Sequence, residues 1–61
     1  MTIKEKSYLS KRKEGLITDL GIIKELKESE LHYWSKYQQA ILNYVEEEID
    51  GIEYTLNLEK L

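Results

Sequence analysis

Residues 31–53 read LHYWSKYQQAILNYVEEEIDGIE, and the recurrence of their apolar positions decides the fold. At about 100° per residue, Leu31, Tyr33, Trp34, Tyr37, Ala40, Ile41, Leu42, Tyr44, Val45, Ile49 and Ile52 fall within an arc of roughly 200°. The opposite arc carries His32, Ser35, Lys36, Gln39, Asn43, Glu46, Glu47, Asp50 and Glu53, and only Gln38 and Glu48 sit on the wrong side. A helix that covers one neighbour needs an apolar stripe of about 100°. The stretch is therefore predicted to be one helix facing more than one neighbour, most simply a second copy of the chain.

Working upstream, Thr2-Ile3-Lys4-Glu5 matches a capping box, which predicts a helix starting near Ile3. Leu9, Leu16, Leu20, Ile23 and Leu26 keep helical spacing through Gly15 and Gly21, so a first helix is expected over residues 2–26, with a bend or break near Gly15. In heptad terms Leu9, Leu16, Ile23, Tyr37 and Tyr44 take position d, and Leu20, Trp34 and Ile41 take position a. The same register puts Lys27 at a and Glu30 at d, so the seam fails across Lys27-Glu28-Ser29-Glu30 and resumes in phase. Two readings are open: a turn between antiparallel helices with Ser29 capping the second, or one long helix with a charged interruption. Equal arms and a short connection favour the hairpin, and the lack of Gly or Pro at the turn counts against it.

Downstream, Gly51 is a candidate helix stop, and Ile52, Tyr54, Leu56 and Leu58 alternate with Glu53, Thr55, Asn57 and Glu59. That alternation is the period of a half-buried strand over 52–58. No mating strand is evident in the chain, and the competing reading is an irregular segment laid over the helices.

The 61 residues make one domain, divided into a basic segment 1–13, a helical core 14–51 and a tail 52–61. A chain of this size buries only about 60% of the surface its unfolded form exposes, and usually needs disulfides, a metal or oligomerisation. There is no cysteine and only one histidine, so crosslinks and zinc sets are excluded and no cofactor or metal is expected. Association is what remains. The missing cysteine fits a cytoplasmic setting, and no stretch reads as a membrane span or a cleaved leader. No proline and 34% charged residues favour helix.

Candidate chemistry is sparse. His32 lies on the polar face with no nucleophile motif near it, which reads as a solvated side chain. Glu46, Glu47, Glu48, Asp50 and Glu53 form an acidic patch that lacks the ligand spacing of a calcium loop. Glu48, directed inward, is expected to pair with Lys27 or an N-terminal lysine. Residues 1–13 carry a net charge of +4 and residues 14–61 a net of −7. Lys4, Lys6, Lys11, Arg12 and Lys13 are thus the candidate phosphate contacts of a nucleic-acid-binding regulator, on a chain whose isoelectric point near 5.1 argues against it. Trp34, Tyr33, Tyr37 and Tyr44 make an aromatic band of the kind that anchors interfaces.

In length and pattern the chain is similar to small homodimeric helical-hairpin proteins of plasmids and viruses, which form four-helix bundles. The similarity includes no motif, and it transfers no functional residue. The expected architecture is all-α: a hairpin of helices at about 2–26 and 30–51 that dimerises into a four-helix bundle or coiled coil. The expected function is non-enzymatic: a regulatory protein that binds itself and another protein, through Leu20, Ile23, Trp34, Tyr37, Ile41, Tyr44 and Val45. Nucleic acid is the alternative partner, and a membrane is not expected.

Overall fold

A computed structural model describes residues 1–58 as two antiparallel helices, α1 (Ile3–Ser29) and α2 (Lys36–Leu58). The described residues contain no strand. A short 3₁₀ turn, Leu31–Tyr33, joins the helices. The molecule is a rod of 45 × 15 × 15 Å, with a radius of gyration of 14.1 Å against about 10.5 Å for a compact domain of this length.

Local chemistry sets each boundary. Thr2 caps α1 by accepting from the Glu5 amide at 3.1 Å, and its hydroxyl donates to the Glu5 carboxylate at 3.2 Å. The amide of Glu30 closes the other end on the Leu26 carbonyl, and the Ser29 hydroxyl donates to that same carbonyl at 3.1 Å. Ser29 therefore finishes α1 and does not cap α2. The α2 cap is Ser35: its hydroxyl accepts from the Gln38 amide at 3.1 Å, and the Gln38 side chain accepts from the Ser35 amide at 2.8 Å. This is a reciprocal capping box in the sequence Ser35-Lys36-Tyr37-Gln38.

The two helices meet along stripes that step alternately by four and three residues. On α1 the stripe is Leu9, Lys13, Leu16, Leu20, Ile23 and Lys27, all half-buried. On α2 it is Gln38, Leu42, Val45, Ile49, Ile52 and Leu56, of which Leu42, Val45, Ile49 and Ile52 are the buried core. That period is the seam of a two-helix coil. α1 contributes no fully buried residue, because only one of its sides is covered.

Several expectations are corrected. The first helix runs to Ser29, unbroken through Gly15 and Gly21, since both glycines keep ordinary helical backbone. The second begins at Lys36, because residues 31–35 form the turn and the cap. Residues 52–58 are helix, not strand, and Gly51 is interior to α2. Ile52 and Leu56 lie on the α2 seam, so their packing on α1 overrides the two-residue alternation. Residues 59–61 of the expected tail lie outside the described residues. The α2 seam itself is displaced by one position: Leu42 and Val45 face α1 where Ile41 and Tyr44 were expected.

Candidate interaction surface

A two-helix rod leaves two long sides beside its seam, and here they differ in chemistry. On one side α2 presents a second stripe, again stepping by four and three: Tyr37, Ile41, Tyr44, Glu48, Gly51, Thr55 and Leu58. The matching stripe of α1 is Tyr8, Arg12, Gly15, Asp19, Ile22 and Leu26. Two contacts show that these stripes share a side. Arg12 lies 3.7 Å from Glu48, and Leu26 and Ile41 line one small cleft of about 120 Å³ with Ile23, Trp34 and Gln38.

Much of this side is apolar and open to solvent. Tyr37 is 76% exposed, Tyr44 59%, Ile22 53%, Leu26 48% and Ile41 41%. These five residues expose roughly 600 Å², taking a tyrosine as about 250 Å² in full, which is the upper end of what a monomer's largest patch reaches. The opposite side is mostly polar, with Ile17, one heptad before Lys24, as its exposed apolar residue. There Lys24, Glu46 and Asp50 line a shallow cleft, Lys13 bridges Glu53 at 3.2 Å, and Gln39 donates to Asn43 at 3.0 Å.

The turn end is held by a polar node. The Gln39 side-chain carbonyl accepts from the Trp34 indole at 2.9 Å and from Lys27 Nζ at 2.8 Å, while Nζ stands 5.8 Å above the Trp34 ring. The indole N–H is thereby satisfied, and the half-buried ring seals the end of the core. Lys27, at a seam position, is accommodated because its charge leaves the seam for Gln39 and the ring face.

One titration is perturbed. The Tyr44 phenol is raised above its ordinary value, first by its hydrogen bond to the Glu48 carboxylate and then by that negative charge, with Arg12 opposing. The exposed stripe of α2 thus has a polar centre, Tyr44 and Glu48 with Arg12 of α1 beside them, between its apolar parts.

The expected interface residues divide into two groups. Leu20, Ile23 and Val45 are used within the hairpin, and Trp34 is half-buried at the turn. Tyr37, Ile41 and Tyr44 remain on the open side. Sequence reasoning missed their α1 neighbour Ile22 and the outward aspect of Leu26 and Tyr8, which the four-and-three spacing from Tyr8 to Leu26 could have revealed. Of the basic candidates, Arg12 and Lys13 face Glu48 and Glu53, while Lys4, Lys6 and Lys11 lie exposed on α1. Glu48 pairs with Arg12 rather than with a lysine.

No family model matches the chain, and no curated protein or solved structure matches it either. Among the described residues, no helix is long and apolar enough to cross a membrane.

Proposed function

We propose that this chain is a small non-enzymatic interaction protein that works as a helical homodimer, a four-helix bundle, and in that form binds and modulates another macromolecule. One observation carries the reading. Five apolar residues left open by the hairpin lie together on one side, Tyr37, Ile41 and Tyr44 on α2 facing the same way as Ile22 and Leu26 on α1, whereas Ile17, Leu31 and Tyr54 are exposed singly elsewhere. An open patch at the upper end of the usual size, spanning two helices, supports the reading of an interaction site. The polar side stays free in such a dimer and supplies the surface for the further partner.

Sedimentation equilibrium over a hundredfold range of loading tests the homodimer. The expected result is a mass that moves from one chain towards two as loading rises. A well-folded single chain at every loading overturns it.

A further inference from the structure

The open stripe of α1 reads alike from both ends. About Gly15 stand Arg12 on one side and Asp19 on the other, and beyond them Tyr8 and Ile22. Reversing the order gives apolar, charge, glycine, opposite charge, apolar again. A surface that meets its own copy across a two-fold axis must be complementary in this way, because residue i contacts j while j contacts i. We infer that a second copy docks antiparallel on this side, the two α1 helices crossing at Gly15 and each Arg12 pairing with Asp19 of the second copy. The inference rests on the homodimer reading and gives it a face and an orientation.

Charge is the first support. Asp19 is exposed and has no ion-pair partner among the described residues. Arg12 touches Glu48 through one nitrogen, and a guanidinium has five N–H groups to share. The second support is shape. A Cβ at Gly15 would meet nothing within 4 Å, so packing inside the hairpin does not require glycine there. Glycine weakens a helix interior, and what its bare surface permits is the close approach of another backbone. The Arg12–Glu48 and Lys13–Glu53 contacts bracket the level of Gly15 between residues 45 and 51 of α2, so the same axis crosses α2 near Glu48. It places Tyr44 over Gly51 of the second copy, where a Cβ would likewise meet nothing within 4 Å, and Tyr37 near Leu58. Large side chains then meet open space, and each Glu48 keeps its own Arg12.

Area is the third support. The hairpin exposes 5078 Å². A compact monomer of its mass exposes about 4,200 Å² by the usual scaling. The excess, roughly 900 Å², comes from the elongated shape, and the outline of one long side, 45 × 15 Å or about 680 Å², is of the order of the 800 Å² or so that each partner buries in a stable interface.

The test is a charge swap divided between two chains. Asp19→Arg and Arg12→Asp should each weaken association about tenfold or more, because two symmetric contacts become repulsive together. Mixed in equal amounts, the two variants should regain affinity as a heterodimer, since every cross-copy contact is again between opposite charges. Sedimentation and native mass spectrometry read both effects, with circular dichroism confirming helicity. Gly15→Leu gives a readout independent of charge: its Cβ enters open space on the hairpin's surface, and the side chain should abolish the dimer. A wild-type dimer indifferent to Asp19→Arg and Gly15→Leu, or a mixture no tighter than its components, overturns the crossing and leaves the homodimer standing. A wild-type chain that stays monomeric overturns both.

Discussion

Two neighbouring substitutions, Leu42→Ala and Ile41→Ala, separate the observed phase of α2 from the one its heptads imply. Leu42 is 4% exposed and faces α1, whereas Ile41 is 41% exposed on the open side. Each substitution removes three carbons, worth about 0.8 kcal/mol apiece when buried. For Leu42 that gives about 2.4 kcal/mol, and a residual cavity brings the cost to about 3. A hairpin two helices thick collapses easily around such a gap, which keeps the figure low in the range of about 2–5 kcal/mol for such changes. For Ile41 the transfer loss scales down to about 1.4 kcal/mol, and the better helix propensity of alanine lowers it to about 1. The difference, about 2 kcal/mol, is roughly thirtyfold in the folding equilibrium. Urea denaturation followed by circular dichroism reads it, at a concentration low enough that the chains are single. A Gly21→Ala background keeps the baseline folded. Ile41→Ala should instead act on association at high loading. Equal costs in the dilute regime, or a larger cost at Ile41, would refute the phase and with it the assignment of the open side.

Other consequences are measurable in the same way. Gly21→Ala should raise the stability of the hairpin by about 1 kcal/mol in urea melts, because the backbone is helical and a Cβ there meets nothing within 4 Å. Its position on the polar side should leave the mass at high loading unchanged. Ser35→Ala removes an acceptor of a reciprocal cap and should cost about 1 kcal/mol, read as a lower thermal midpoint. Glu48→Gln should bring the Tyr44 phenol back towards its ordinary value, seen by tyrosinate absorbance against pH, since the carboxylate is the main cause of the rise. The linked sign follows. A phenol raised in the folded state stabilises fully below its unfolded value of about 10, and that stabilisation is lost as pH climbs through the raised value. A pH profile identical in wild type and Glu48→Gln would remove that coupling.

The elements themselves were legible because each rests on local chemistry. Thr2 and Glu5 announced the first helix, and the spacing of Leu9, Leu16, Leu20 and Ile23 announced its inner face. The width of the α2 arc announced that one neighbour would not cover it, and the open Tyr37, Ile41 and Tyr44 agree. The misreadings also have local causes. Ser29 looked like a cap because it precedes a helical run, yet Ser35 has the glutamine three residues on that completes the box. The alternation of Ile52, Tyr54, Leu56 and Leu58 mimics a strand, but Ile52 and Leu56 lie on the seam, Leu58 on the open stripe and Tyr54 on neither, exposed to solvent. The basic residues of the N-terminal segment read as a set of candidate phosphate contacts, but Arg12 and Lys13 are drawn onto the acids of α2 by the antiparallel return.

The one-residue displacement of the α2 seam has a physical reason that sequence also contains. Carrying a heptad from Lys27 to Trp34 and Ile41 assumes about 100° for every intervening residue. The turn at Leu31–Tyr33 and the non-helical Trp34 and Ser35 break that count, so α2 starts with a phase of its own. What then chooses its inner side is the longest unbroken aliphatic stripe. Leu42, Val45, Ile49 and Ile52 continue for three turns, whereas Tyr37, Ile41 and Tyr44 stop at Glu48. Turning the shorter stripe inward would set Glu48 against α1 and leave four aliphatic side chains in water, at about 25 cal/mol for each Å² exposed. The aliphatic stripe therefore goes to α1. The stripe that remains outside has tyrosines whose hydroxyls tolerate water in the free chain and whose rings gain by losing it.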